Sequence, residues 1–355
     1  MFYIRADGNT HIGMGHVMRC LSIADAAYEL DKENKAVFIV ADMDCQKMIC
    51  GRGYEVKVLN TDYMDMESEI AILKTFIKKT DVILVDSYQV TNNYYLELRN
   101  ISRVACLEDM GNSYPVDLLV NYNIYGPNLK NRYSNNGIGD ASFIGPDRYI
   151  LGLDYMPLRK EFSVKNGYEI KEDVASVMIT TGGSDPYFAT DDFLQAILSD
   201  MDLNNENIVY HVVSGPFNTF ADLLKEKYGS IPNVVIHENV KDMKSLIIES
   251  DIVITATGST IYEVSALGVP MICFYFAENQ RQGAEEIEKL TDIVNAGCLA
   301  ENKENVVENI VYALKKCIKS KAYRDKIHMQ EMKLVDGKGA GRLANEILSL
   351  IKDVI

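Results

Sequence analysis

Short apolar runs punctuate this chain, and between them apolar residues recur at helical spacing. In the first half the candidate strands are Phe2–Arg5, Ala36–Val40, Glu55–Leu59, Val82–Val85, Val104–Leu107 and Leu118–Val120. The clearest helical stretch puts Val17, Cys20, Leu21, Ala24 and Tyr28 on one face, the i, i+3, i+4, i+7, i+11 series. A strand that is apolar along its whole length is buried on both faces. Alternating with helices, such strands predict an α/β fold with parallel sheets covered on both sides.

The rhythm breaks over 122–147, which is rich in Asn, Gly and Tyr and reads as loops, and over the polar stretch 156–172 with Pro157 and Gly167. It then restarts with candidate strands Ser176–Thr180, Val209–Val213, Val234–His237, Ile252–Thr255 and Met271–Tyr275. Helical patterns begin near Phe188, Phe220, Met243 and Ser259. A length of 355 residues agrees with two domains. The expected division is a first α/β domain over 1–156, a connection over 157–172 and a second α/β domain over 173–335. A helix over 336–355 is free to return to the first domain. Ligands of such sheets sit at the carboxyl ends of the strands, which in a two-domain chain points to the interdomain cleft.

Lys and Arg number 36 against 51 Asp and Glu, a net charge of −15. With no basic block, this argues against nucleic acid or an anionic membrane as the main partner. A small anion is not excluded, because backbone amides at helix starts bind phosphate without Lys or Arg. The seven cysteines are odd in number and form no CxxC pair, which argues against a disulfide framework and a zinc ribbon. The N-terminus lacks the features of a secretory signal, and no apolar stretch approaches the roughly 18 residues of a membrane span. The expected location is the cytoplasm.

The segment from Arg5 to Arg19 is the first candidate site. It follows a strand and opens the strongest helix. Gly13 and Gly15 permit a close turn and a close approach of ligand to backbone. His16 then falls in the first helical turn, where the positive end of the helix dipole disfavours imidazolium and suits a neutral general base. Asp7 is the candidate to orient its ring. The alternative is a tight turn followed by an ordinary first-turn histidine. Neither the GxGxxG fingerprint nor a P-loop is present, since position 18 is Met18 and no GK[ST] follows.

A second candidate site lies in the second half. Gly182 and Gly183 follow a strand and leave amides free for a ligand, and Ser184 or Asp185 can cap the next helix. Gly258, Ser259 and Thr260 open another helix with free amides suited to pyrophosphate, and Glu263 can accept from two ribose hydroxyls. Thr260-x-x-Glu263 is equally a capping box, which explains both residues without a ligand. Tyr88 after one strand, and Asn279 with Gln280 after another, are smaller signals whose alternatives are a surface tyrosine and a helix cap. Asp42-Met43-Asp44 has the outline of a metal-binding DxD. His11, His211, His237 and His328 show no ligand-like spacing.

The run Arg5-Ala6-Asp7 through Ile12-Gly13-Met14-Gly15-His16-Val17-Met18-Arg19 resembles the opening signature of the UDP-sugar hydrolases of pseudaminic acid biosynthesis. These release UDP from UDP-2,4-diacetamido-2,4,6-trideoxy-β-L-altropyranose, and their relatives include proteins of spore coat polysaccharide biosynthesis. The resemblance extends to Asp86-Ser87-Tyr88, Val120-Asn121, Gly152-Leu153-Asp154-Tyr155 with Leu158-Arg159, Gly182-Gly183-Ser184-Asp185, Glu263, Asn279-Gln280 and Asp336-Gly337-Lys338-Gly339. It implies the GT-B fold, two Rossmann-like domains with parallel sheets facing a central cleft, similar to the N-acetylglucosaminyltransferase that makes lipid II. It also implies His16 as the base that activates water at the anomeric carbon with inversion, and Tyr88 and Asn279 in the sugar pocket. Glu263 then holds the ribose, Gly258, Ser259 and Thr260 lie near the pyrophosphate, and Arg159 helps the departing diphosphate. No cofactor and no metal are implied. The partner is a small UDP-sugar, and oligomeric state is left open. Met14 departs from the Thr or Phe of many relatives. Two rival readings are a GT-B glycosyltransferase acting on an acceptor hydroxyl and a non-catalytic nucleotide-sugar binding protein.

Overall fold

A computed structural model describes residues 1–9, 11–134, 145–163 and 167–352. Residues 135–140 of the Asn-rich region and 164–166 of the expected connection lie outside the described residues. The chain forms two compact units, one of Met1–Lys160 with Gly337–Ile355, the other Glu161–Asp336.

The first unit runs β1 (Phe2–Ala6), α1 (Gly15–Leu30), β2 (Val37–Val40), α2 (Gln46–Gly51), β3 (Glu55–Val58), α3 (Ile70–Leu73) and β4 (Val82–Asp86). It continues with α4 (Asn92–Arg99), β5 (Arg103–Leu107), β6 (Leu118–Asn121), α5 (Lys130–Ser134) and β7 (Arg148–Leu151). In the second unit come β8 (Ser176–Thr180), α6 (Ala189–Ser199), β9 (Val209–Ser214), α7 (Ala221–Tyr228), β10 (Val234–Glu238) and α8 (Met243–Glu249). Then follow β11 (Ile252–Ala256), α9 (Thr260–Leu267), β12 (Met271–Tyr275), α10 (Glu278–Leu290), β13 (Val294–Cys298), α11 (Lys303–Lys319) and α12 (Lys321–Leu334). The last helix, α13 (Gly339–Lys352), belongs to the first unit.

Both sheets are parallel among the described residues. Their orders are β3-β2-β1-β4-β5-β6-β7 and β10-β9-β8-β11-β12-β13. The central strands β1, β4, β8, β11 and β12 are buried along their whole length, as continuous apolar runs require. Two strands escape the sequence pattern. β7 and β13 close one edge of each sheet, and most of their residues are only partly buried, so neither is a continuous apolar run. Likewise 122–134 is not all loop, because α5 forms within it.

On α1 the apolar face buries Val17, Cys20, Leu21 and Ala24. α1 packs against α13, which buries Ala340, Leu343, Ala344 and Ile347 and also contacts β4 and β5. Gly339 begins α13 against the backbone of Tyr155 and Met156, where an added Cβ would lie 2.3 Å from the Met156 carbonyl oxygen. Only glycine allows that approach. In the second unit, Arg324 of α12 is buried and donates to the carbonyls of Cys317, Lys171 and Glu172, which ties the start of the unit to its last helices.

Glu331 on α12 is fully buried, and its carboxyl has no side-chain hydrogen-bond partner among the described residues. Burial pushes its carboxyl well above the ordinary value near 4.5, and the Met271 backbone, which pulls the other way, does not offset this. An acid raised in the folded state contributes most below its unfolded value and progressively loses that contribution as pH rises. Glu331→Leu is therefore expected to stabilise the second unit at pH 8 by about 1–3 kcal/mol, with the gain shrinking toward pH 4. Urea unfolding of both proteins across that range measures it.

Candidate functional site

Each sheet reverses its winding at one place, between β1 and β4 in the first unit and between β8 and β11 in the second. At such a switch point the two following loops diverge and leave a crevice at the strand ends.

In the first unit Ala6 pairs with Asp86, so Asp7 and Ser87 begin the diverging loops. The loop after β1 is organised by Asn9. Its side-chain oxygen accepts from the His11 and Ile12 amides at 2.9 and 3.0 Å, and its carbonyl accepts from Gly13 at 2.9 Å. Gly13, at φ +74, closes the turn, and nothing stands within 4 Å of the position a Cβ would take there or at Gly15. The helix α1 then presents His16 and, one turn on, Arg19 from the same face.

Both reach Asp86. His16 Nδ1 lies 2.7 Å from Asp86 Oδ1, while Arg19 donates through Nε to Oδ2 at 2.6 Å and through Nη2 to Oδ1 at 2.5 Å. A carboxylate only accepts and calls for a proton on His16 Nδ1, whereas Arg19 Nη2, a donor only, stands 2.9 Å from the same nitrogen. Asp86 is the nearer partner at 2.7 Å, and Arg19 Nη2 already donates to Asp86 Oδ1, so the proton is assigned to Nδ1 and the lone pair to Nε2. Burial pushes the Asp86 carboxyl up, but Arg19 and His16 outweigh it and hold it well below the ordinary carboxylate range. Arg19 Nη1 extends to the Tyr122 hydroxyl at 2.7 Å and Asp109 Oδ2 at 3.3 Å. Tyr88 donates its hydroxyl to Asp109 Oδ2 at 3.0 Å and sets its ring edge-on to His16, 4.8 Å between centroids. Asp7, Ile12, His16, Tyr63, Asp86 and Tyr88 line a small pocket here.

The residue that orients His16 is thus Asp86 and not Asp7. Asp7 accepts from Arg5 Nη1 at 2.5 Å and from the Ala41 amide at 2.8 Å. Arg5 is fully buried in β1 and also pairs with buried Glu69, which takes the Tyr94 hydroxyl at 2.5 Å. Asp7 still lines the pocket. Arg159 lies half-buried in the first unit and is not among the pocket's lining residues.

In the second unit the loops after β8 and β9 touch, and the loop after β11 follows the strand on the other side of β8. Gly182 has φ +87, and Gly215 lies so close that a Cβ on it would stand 2.1 Å from the Gly182 carbonyl oxygen. Sequence patterning did not single out Gly215, whose constraint comes from the neighbouring loop after β8. Thr181 follows β8 and Ser214 ends β9, both with buried hydroxyls that have no hydrogen-bond partner among the described residues. Phe188 holds the N-cap position of α6, and Asp185, rather than Ser184, satisfies its first amides, accepting from Ala189 and Thr190 at 2.8 and 3.0 Å.

Gly258 and Ser259 are exposed, and nothing stands within 4 Å of a Cβ at Gly258. The capping-box alternative for Thr260 fails. Thr260 is already the first residue of α9, and Ser259 is the N-cap, with no cap hydrogen bond from its own side chain. Glu263 is half-buried in the first turn. Asn279 is exposed near the start of α10 and does not cap it, since Ala277 holds that position. Gln280 reaches back to accept from the Phe276 amide at 3.0 Å.

Two histidines without sequence spacing do meet. Adjacent strands β9 and β10 bring His211 Nδ1 to 2.9 Å from His237 Nε2. Burial lowers both, and for His211 its neighbour adds to the effect. Among the described residues no group of three or more metal-ligating side chains forms, and in the DxD outline Asp42 only accepts the Asp44 amide at 2.9 Å.

Residues 177–340 match the family model described as Glycosyltransferase family 28 C-terminal domain. The chain is 29% identical over 288 residues to uncharacterized protein MJ1062 of Methanocaldococcus jannaschii, 79% of this chain but only 56% of that one. It is 24% identical to the spore coat polysaccharide biosynthesis protein SpsG of Bacillus subtilis over 99% of both. Among solved structures it is similar to MurG of Acinetobacter baumannii, with TM-score 0.65, 12% identity, and 98% and 99% of the two chains covered. It is also similar to S. aureus MnaA in a co-structure with UDP, with TM-score 0.63, 12% identity, and coverage of 99% and 96%. The fold is GT-B: two α/β units, each built on a parallel sheet.

Arg19→Met removes the counter-charge of a buried carboxylate, so it is expected to cost about 3–5 kcal/mol at pH 7.5. The stabilising contribution of a depressed acid is present above its unfolded value and is lost as pH falls. The gap between the two proteins therefore holds from pH 7.5 down to about pH 4 and narrows only below it, as urea unfolding at pH 7.5, 4 and 2.5 checks.

Proposed function

We propose that the chain hydrolyses a UDP-linked sugar, with His16 as the base that activates water. The observation that carries this reading is the pairing of His16 Nδ1 with Asp86 at the head of α1, in a ring that lines the pocket and keeps Nε2 as its acceptor. Water attacks the anomeric carbon, the bond from that carbon to the diphosphate oxygen breaks, and configuration inverts. The water proton passes to Nε2, and Asp86 stabilises the imidazolium so formed. Four carboxylates (Asp7, Glu69, Asp86, Asp109) stand in this network against two guanidinium groups, Arg5 and Arg19. Such an excess favours positive charge developing at the sugar ring and disfavours an anionic acceptor.

The second unit holds the nucleotide in this reading. The amides of Gly182, Gly183, Gly258, Ser259 and Thr260 serve the diphosphate, and Glu263 serves the ribose. The unpartnered hydroxyls of Thr181 and Ser214 offer further donors at the same strand ends. Tyr88 and Asn279 contact the sugar, Ser184 and Gln280 line its surroundings, and Arg159 helps UDP depart. No cofactor is required, and diphosphate departure is assisted without a metal. The sequence resemblance supports a diacetamido-trideoxy sugar and a place in nonulosonic, pseudaminic-type biosynthesis, hence action in the cytoplasm. Among the described residues no helix is long and apolar enough to cross a membrane.

The match to the glycosyltransferase family 28 C-terminal domain favours a second reading, in which the same base activates an acceptor hydroxyl. Incubation with UDP-linked diacetamido sugars and no acceptor separates the two. The expected outcome is UDP release that disappears in His16→Ala while UDP binding persists. Release that requires an added acceptor makes the protein a transferase, and binding without turnover makes it a binding protein.

Gly258→Val tests the nucleotide end. Its side chain enters open space, so the unfolding midpoint should hold while UDP affinity in calorimetry falls about tenfold or more. Unchanged affinity would remove Gly258 from the diphosphate site.

A further inference from the structure

We propose that Asp109 is a positioning residue that fixes the Tyr88 ring against the His16 imidazole; the catalytic consequence rests on the reading of His16 as the base. The loop that carries Asp109 is held in one shape. Glu108 accepts from the amides of Met110, Gly111 and Asn112 at 2.8, 3.0 and 2.9 Å, and from the Tyr133 hydroxyl at 2.5 Å. The Tyr125 hydroxyl donates to the Asp109 carbonyl at 2.9 Å. Those five hydrogen bonds fix the backbone on both sides of one carboxylate.

That carboxylate does not line the pocket. Its Oδ2 accepts from Tyr88 at 3.0 Å and faces Arg19 Nη1 at 3.3 Å. Tyr88 is 47% exposed, so packing alone does not restrict its ring, and Asp109 is the partner of its hydroxyl among the described residues. Arg19 joins the two carboxylates, gripping Asp86 with Nε and Nη2 and reaching Asp109 with Nη1. The base and the ring beside it are therefore registered to each other through Arg19 and Asp109. Small errors in such placement cost rate more than affinity.

The test uses the full chain with Asp109→Ala, Asp109→Asn, Tyr88→Phe and the double variant Asp109→Ala/Tyr88→Phe. With a hydrolysed UDP-sugar, Asp109→Ala is expected to lower kcat about tenfold or more with KM within about twofold. Tyr88→Phe should match it, the double variant should be no worse, and Asp109→Asn, which keeps an acceptor oxygen, should recover part of the rate. The second readout needs no turnover. Only five histidines are present, so the His16 ring proton is assignable by proton NMR through its loss in His16→Ala. Its ring-current shift in Asp109→Ala should move toward that of Tyr88→Ala. An unchanged kcat with an unmoved His16 resonance overturns the proposal, as does a double variant whose losses multiply. A lower melting temperature with both readouts intact reduces Asp109 to a structural role. If wild type turns over no UDP-sugar, the hydrolase reading fails, and the NMR comparison alone decides whether Asp109 positions Tyr88.

Discussion

A carboxylate buried at the end of a central strand has to be answered by positive charge, and in the first unit that requirement organises the residues around it. Asp86 is 1% exposed. Left alone, such an ion would neutralise or unfold its surroundings. Arg19 supplies a bidentate counter-charge from α1, and the same turn of helix delivers His16 to the remaining lone pairs. Placing Arg19 fixes the rotation of α1. The rotation of α1 then decides that His16 faces the strand ends while Val17, Cys20 and Leu21 face the core. Electrostatic necessity and hydrophobic packing therefore specify the same helix orientation, which is the mutual consistency expected of a well-specified fold.

The two units use opposite chemistry at equivalent topological positions. The first concentrates carboxylates, imidazole and phenol. The second offers backbone amides, glycines and hydroxyls after β8, β9 and β11. A net charge of −15 makes the second solution reasonable, because amides and hydroxyls bind an anion without disturbing the acidic surface around them.

Legibility in the sequence followed the range of each interaction. The central strands and α1 were readable because their signals are local: apolar continuity for one, i, i+3, i+4 spacing for the other. The edge strands β7 and β13 were not, since an edge strand needs no continuous apolar run. His16 and its glycines could be proposed from adjacent residues. Its partner could not, because Asp86 lies 70 positions away and Asp7, nearer in sequence, is already committed to Arg5. The same limit hid the His211–His237 contact, which exists only through strand pairing, and Gly215, whose small size answers a neighbouring loop. The capping-box pattern at Thr260 misled in the other direction, because α9 begins one residue too early for Thr260 to serve as its cap.

The return of α13 to α1 has a consequence for the order in which the molecule can be made. The first unit is interrupted after Lys160 and is completed only by residues from Gly337 onward. On a ribosome, the second unit is synthesised in full while α1 still lacks its partner, and part of the surface of α1 waits uncovered. The unit that carries the histidine thus matures last although its sequence emerges first. Any shortening of the chain at its far end would be felt at the opposite terminus, in the helix that holds His16.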